Sequence, residues 1–448
     1  MRKITFIGAG SIVFAKNLLT DILSVPELRD TKISLMDIDP ERLAMTEKLA
    51  ARIVEENDFP TVIEATTDRR EALKDADYVI SMIQVGGLEA YEMDIEIPRK
   101  YGVNQAVGDT LGPGGVFRGL RTIPVYLEIA RDMEELCPEA LFLNYVNPMA
   151  INCWALNKAT DIKNVGLCHS VQGTAAEICE YIDLPYEDIN YLSAGINHMA
   201  WYLKFEKDGK DLYPQIKAKY DDPDVYKHDV TKFEFLKHFG YFVTESTIHM
   251  SEYVPYFRKN KDWISNIHRM QREQPENSYG GDIGWTTEDE SGAYLHVCQV
   301  RNESYLEDME ELINSEIKME RSNEYGSHII EAMETGRETV IHGNIQNDGQ
   351  ITNLPQGSVV EVPCLVNKNG IQPTYVGDLP TQLAALNRTN INVQELAVEG
   401  ALTGDKEKIY QAVMMDPLTA AVLDMDQIRE MVDEMFAAQR EWLPNFEI

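Results

Sequence analysis

The chain has 448 residues, 44% apolar and 9% aromatic, with 74 acidic against 41 basic side chains and a formal charge of −33. That length supports two or three domains around a large core, and the charge excludes nucleic acid and anionic membrane as partners. The six cysteines carry no paired spacing, which implies reduced thiols in a cytoplasmic setting rather than a disulfide framework. Met1 to Ile7 runs directly into a strand pattern, so no signal peptide is expected, and no apolar run reaches the roughly eighteen residues of a membrane span.

The first half reads as a nucleotide-binding unit. Lys3 to Ile7 is a buried-strand pattern, Gly8-Ala9-Gly10-Ser11 a tight turn, and Phe14 to Leu23 a helix. Gly8, Gly10 and Ser11 would let a pyrophosphate approach the backbone at a helix N-terminus, where the dipole favours negative charge. Val13 stands where the usual third glycine would be. Asp37 closes the strand Lys32 to Met36 and can accept hydrogen bonds from ribose hydroxyls while repelling a 2′-phosphate, which favours NAD over NADP. Asp77 to Ile83 reads as the third strand, followed by Gln84 as a further cofactor-binding candidate. The stretch Gly108 to Arg118 reads as a mobile glycine-rich loop that carries Asp109 and Arg118 to a site. It lacks the Lys-Ser/Thr ending of an ATP phosphate loop. Ile123 to Met133 is helical, and the strand Leu141 to Tyr145 leads to Asn147-Pro148, where Asn147 can face a nicotinamide or a substrate hydroxyl. The strand Lys163 to Leu167 delivers Cys168 and His169 at its carboxyl end, where α/β proteins place their chemistry.

From about Asp188 the pattern changes to antiparallel strands mixed with helices. Ile196 to Phe205 is a strand with a hairpin turn at Lys207 to Lys210, and His198 offers a second imidazole. Residues 258 to 325 are strongly charged and read as a solvated surface segment. Ser322 to Gly336, Gln382 to Tyr410 and Leu418 to Gln439 read as helices, and Ser358 to Cys364 as a strand. The expected fold is α/β, with an N-terminal Rossmann-type parallel sheet and a C-terminal α+β substrate domain, an arrangement resembling lactate and malate dehydrogenases. Residues 1–165 form the NAD-binding domain and 166–448 the metal- and substrate-binding domain.

Several blocks in this order resemble glycoside hydrolase family 4, the NAD-dependent glycosidases. They are Ile4 to Ser11, Asp109 to Gly115, Asn144 to Met149, Gly166 to Thr174, Gly195 to Ala200, Tyr241 to Ser246 and Thr389 to Gln394. Within that family the chain is most similar to the α-galactosidases. The resemblance implies a divalent metal, usually Mn²⁺, held by Cys168 and His198 with help from Asn147 and the sugar hydroxyls. It further implies oxidation of the sugar at C3 by NAD⁺, proton loss at C2, departure of the aglycone, addition of water and return of the hydride. The residue after the metal cysteine, His169, would act as the acid.

For the C2 base, Tyr253, Glu245 and His249 compete, and Asp109 could tune whichever serves. Arg118 is a substrate-binding candidate. An α-glucuronidase or α-galacturonidase would use the same machinery with a cation, Arg118 or Arg258, at the C6 carboxylate. A hydroxy-acid dehydrogenase would share the nucleotide half without requiring Cys168. The resemblance also implies a homodimer or homotetramer.

Overall fold

Residues 1–273 and 292–446 are described by the computed structural model. The strands β1 (Arg2–Ile7), β2 (Thr31–Met36), β3 (Val62–Thr66), β4 (Tyr78–Ser81), β5 (Leu141–Asn144) and β6 (Asn164–Leu167) pair in parallel in the order 3-2-1-4-5-6. This is the doubly wound order of dinucleotide-binding sheets. The inner strands are short apolar runs buried on both faces, as a sheet covered by helices on each side requires. Those helices include α1 (Ile12–Ser24), α2 (Pro40–Glu56), α3 (Arg69–Leu73), α4 (Gly87–Lys100), α5 (Gly112–Leu136), α6 (Met149–Ala159) and α7 (Ser170–Tyr181). Asp39 and Asp68 start α2 and α3 by accepting from the backbone N–H groups two and three residues on.

Because the six strands are parallel, their carboxyl ends share one edge, which gathers Gly8 to Ser11, Gln84, Asn147 and Cys168-His169. The sheet does not stop there. The strand β7 (Asn190–Ile196), followed by β8 (Met199–Lys207), β9 (Lys210–Asp211), β10 (Thr339–Gln346), β11 (Val359–Asn367) and β12 (Gly370–Pro373), extends it through antiparallel pairs in the order β6-β10-β11-β7-β8-β9. The expected domain boundary at 165/166 falls inside β6, whose Leu167 pairs with Gly343 of β10. The helix Thr381–Thr403 packs across both α5 and α6.

Four readings need correction. The stretch Asp77 to Ile83 is the fourth strand, not the third. β3 precedes it as an edge strand with no apolar run, because only one of its sides pairs and its residues are half-buried or exposed. The glycine-rich stretch is not a mobile loop beyond Leu111, since Gly112 opens α5 and Gly112 to Phe117 are buried. A Cβ on Gly114 would lie 2.4 Å from the Gly108 carbonyl oxygen, so these glycines serve close packing.

The third concerns the closing helices. Gln382 to Tyr410 is two helices, Thr381–Thr403 and Lys406–Met415, because Asp405 caps a new start. Asp424 likewise divides Leu418 to Gln439 with a capping box. The fourth concerns the charged stretch, which is not merely surface. Arg258 is fully buried with its Nε donating to the Asn104 carbonyl, and Tyr305 reaches back to donate to the Gly10 carbonyl at 2.9 Å. The part of that stretch at 274–291 lies outside the described residues. Among the described residues no helix is long and apolar enough to cross a membrane.

Candidate active site

His198 occupies the two-residue turn between β7 and β8, where Ile196 pairs with Met199. Cys168 follows β6 directly. The segment Phe242 to Thr244 runs beside β8, with Tyr202 N–H donating to the Phe242 carbonyl and Thr244 N–H to the Ala200 carbonyl. That pairing delivers Glu245, which takes a left-handed backbone conformation at φ 81°. For a non-glycine residue such a conformation costs on the order of 1–3 kcal/mol. It places the buried Glu245 carboxylate beside Cys168 and His198, and one donor atom from each of the three lies within 4.8 Å of the others.

The donor set fits a divalent cation. A thiolate, an imidazole and a carboxylate are all metal ligands, and donors about 2.0–2.3 Å from an ion are themselves separated by up to twice that. Burial works against a charge on His198, yet Cys168 and Glu245 pull its pKa upward. The pocket thus attracts positive charge, which a metal would supply. His198 is held from behind, since its Nδ1 lies 3.1 Å from Thr110 Oγ1 and 3.2 Å from the Tyr253 hydroxyl. Its Nε2 is 3.8 Å from Glu245.

Glu245 also meets His249, whose Nδ1 is 3.1 Å from Glu245 Oε1 and whose Nε2 is 3.1 Å from Asp109 Oδ1. Asp109 in turn accepts from Asn147 Nδ2 at 2.9 Å, and Arg118 Nε donates to the Asn147 carbonyl at 3.1 Å. Burial alone would raise both acids. The charges of His198 and His249 bring Glu245 down to about 2, and the hydrogen bond and charge of His249 hold Asp109 well below the carboxylate range. The same pair drives His249 upward despite its burial. Tyr253 is 1% exposed, and burial followed by the charges of Glu252, Asp109 and Glu245 raises its phenol well above its ordinary value.

His169 stands apart from this cluster. It faces outward at the N-cap of α7, with its Nε2 2.7 Å from Glu324 Oε1 and its ring stacked on Tyr145. At the nucleotide end, Asp37 Oδ2 accepts from Gly10 N–H at 2.7 Å and Oδ1 from Asp39 N–H at 2.9 Å. A Cβ at Gly10 would sit 2.9 Å from that carboxylate, so only glycine lets the turn close on Asp37. Ser11 is the N-cap of α1, and Gln84 is exposed just past β4.

The structure thus brings together Cys168, His198, Glu245, Tyr253, Asp109, Asn147 and Arg118. It keeps Gly8, Gly10, Ser11, Asp37 and Gln84 on the neighbouring strand ends. Sequence reasoning missed Thr110, Glu252, Glu324 and the buried pair Asn344–Glu361. Glu252 clamps the backbone before Asp109 by accepting from the N–H groups of Ala106, Val107 and Gly108 at 2.7, 3.1 and 3.0 Å. Asn344 bridges the Gly166 carbonyl and Glu361 across β6, β10 and β11, below the Cys168 end of the sheet. Glu361 was detectable as a lone charge inside an apolar strand, and Thr110 as the neighbour of Asp109. Glu324 carried no signal, being one acid in an acidic stretch.

The family 4 glycosyl hydrolase model matches residues 3–184 and the family 4 glycosyl hydrolase C-terminal domain residues 193–419. The chain is 45% identical to an α-galactosidase of Bacillus subtilis over the full length of both, and 43% identical to an α-galactosidase of Rhizobium meliloti over 99% of this chain and 89% of that one. A structure of a 6-phospho-α-glucosidase from gut microorganisms in complex with NAD and Mn²⁺ has the same fold. Its TM-score is 0.77 at 20% identity, with all of both chains covered. The chain belongs to glycosyl hydrolase family 4.

Proposed function

We propose that this protein hydrolyses α-galactosides and requires NAD⁺ and a divalent metal, with Mn²⁺ the first candidate. The observation that carries the reading is the clustered donor set of half-buried Cys168 with buried His198 and Glu245, which lies on the same sheet edge as a dinucleotide-type glycine turn. Relatives named α-galactosidase at 45% and 43% identity support the substrate class, and the neighbour solved with NAD and Mn²⁺ supports the cofactors. When bound, the nicotinamide would accept and return a hydride at the sugar, and the metal would polarise a sugar oxygen as a Lewis acid.

The remaining work falls to the chain. Residues 1–165 would hold the dinucleotide, through Gly8, Gly10, Ser11, Asp37 and Gln84, and residues 166–448 the metal and sugar. Asp109 and Asn147 of the first part reach into that site. Cys168 and His198 would hold the metal, with Asn147 bound to a sugar hydroxyl and anchored by Arg118 through its carbonyl. For the base at C2, geometry favours Glu245 over Tyr253. The Tyr253 hydroxyl lies at Nδ1 of His198, on the Thr110 side of the ring, whereas Glu245 stands on the donor face with Cys168. His249 and Asp109 would orient that carboxylate, and His169 would protonate the departing oxygen.

The neutral sugar is favoured over a uronide. Arg258 is fully buried with its Nε on the Asn104 carbonyl. The relatives named α-galactosidase, at 45% and 43% identity, are more similar than those named α-galacturonidase, at 31% and 30%. The six free cysteines accord with a reducing cytoplasm, and assembly as a homodimer or homotetramer is part of the same proposal. Light scattering would decide the assembly. The activity test is nitrophenol release from a nitrophenyl α-galactoside with NAD⁺, Mn²⁺ and a thiol present, each then omitted in turn. Loss of activity on removing either cofactor is expected. Full activity without NAD⁺ would refute the redox route, and turnover of an α-galacturonide instead would move the substrate.

A further inference from the structure

An imidazole on an open edge has rotamers to choose from, and the side chain of His169 is 47% exposed. Two of its contacts restrict it. Its Nε2 lies 2.7 Å from Glu324 Oε1, and its ring stacks on Tyr145 with centroids 6.4 Å apart and planes at 29°. Both partners are themselves fixed. The Tyr145 hydroxyl accepts from Gly326 N–H at 2.9 Å. Glu324 is only 6% exposed, and its own N–H donates to Ser322 Oγ, while the Ser322 N–H and hydroxyl both bond to the buried Asp21 of α1.

A glutamate at a helix start is ordinarily explained by capping. Glu324 precedes the helix Tyr325–Thr335, yet its carboxylate makes no cap hydrogen bond. Its second oxygen is buried with no hydrogen-bond partner among the described residues. A buried carboxylate is costly to keep without partners, and this one takes hydrogen bonds from His169 and from the Tyr145 hydroxyl, whose ring stacks on that same imidazole.

We propose that Glu324 is the positioning residue of the proton donor. By accepting from Nε2–H of His169, it fixes the imidazole's rotamer and tautomer and turns Nδ1 toward the departing aglycone. As the C1–O bond breaks, its electron pair goes to the aglycone oxygen, which takes the Nδ1 proton. The electron pair left at C2 by deprotonation forms the C1–C2 double bond. His169 is left neutral and is reprotonated from solvent. This inference rests on the reading of His169 as the acid.

The test uses the full chain with NAD⁺, Mn²⁺ and thiol, and compares kcat/KM across aryl α-galactosides of falling phenol acidity, ending with melibiose. A general acid matters little for a good leaving group and contributes about 100-fold or more for a poor one. Glu324→Ala and His169→Gln are both expected to lose less than about tenfold on the dinitrophenyl substrate and about 100-fold on melibiose. Glu324→Gln, which keeps an accepting oxygen, is expected to recover most of the Glu324→Ala loss and guards against a fold defect in the alanine variant. If His169→Gln is leaving-group selective while both Glu324 variants slow every substrate equally, the positioning role is overturned and the acid assignment stands. If His169→Gln is itself unselective, the acid assignment fails and the inference falls with it.

Discussion

Cys168 and His169 are adjacent in the chain and live in opposite surroundings. On the Cys168 side lie His198, His249, Glu245, Asp109 and Tyr253, all nine-tenths or more buried and bonded to one another. On the His169 side the edge is open, and the described residues place the Glu324 carboxylate and the Tyr145 ring against it. The difference corresponds to two tasks. A metal site needs several donors held in a fixed, water-poor geometry with outer groups orienting each ligand. A proton donor to a departing group must reach both substrate and solvent, which the 47% exposed side chain of His169 can do.

The largest effect that would break this comparison is at Cys168. Cys168→Ser should lower kcat about 100- to 1000-fold, as loss of a principal electrostatic contributor does, while NAD⁺ titration shows unchanged affinity. Near-normal turnover would place the metal elsewhere. A second variant sharpens the roles inside the buried wall. Tyr253→Phe removes the hydroxyl behind His198 and should weaken Mn²⁺ binding about 10- to 100-fold, in the manner of outer groups that orient a ligand. It should leave kcat at saturating Mn²⁺ within a few-fold. A large kcat loss that no Mn²⁺ concentration repairs would return the base assignment to Tyr253.

The smallest effect concerns the floor beneath the ligands. Burial, only partly offset by the bond from Asn344, pushes Glu361 up to about 8 from its ordinary value of 4.5. Between those values the folded chain binds more protons there than the unfolded one, so stability falls as pH rises across that window. The slope from this single group is at most about 1.4 kcal/mol per pH unit. Glu361→Gln mimics the neutral form and should raise the unfolding midpoint relative to wild type at pH 8 and change it little at pH 5. A gain of equal size at both pH values would contradict the assignment.

What the sequence made legible follows the same division. Local signals were enough for the parallel half except its edge strand β3. An apolar run, a glycine turn and Asp37 at a strand end are each read within a few residues, whereas β3 has no apolar run. The metal pair was legible only through order and resemblance, since Cys168 and His198 follow strands that are consecutive in the chain but separated in the sheet by β10 and β11, which come from much later residues. Glu245 reaches them through an unusual backbone angle that no residue pattern announces. Gly112, Gly114 and Gly115 misled, because a helix start packed against its own preceding loop uses the same residues as a mobile loop. Glu324 was invisible for a physical reason, in that its role depends on burial and on contacts with His169 and Tyr145 rather than on composition.

The most direct test of the central claim is calorimetric titration of Mn²⁺ into the NAD⁺-loaded, thiol-reduced protein and its Cys168→Ser variant. The account predicts one binding event per chain in the wild type, and an affinity in the variant at least about 100-fold weaker, as loss of a metal-site residue produces. Binding of equal strength and stoichiometry in both would contradict it.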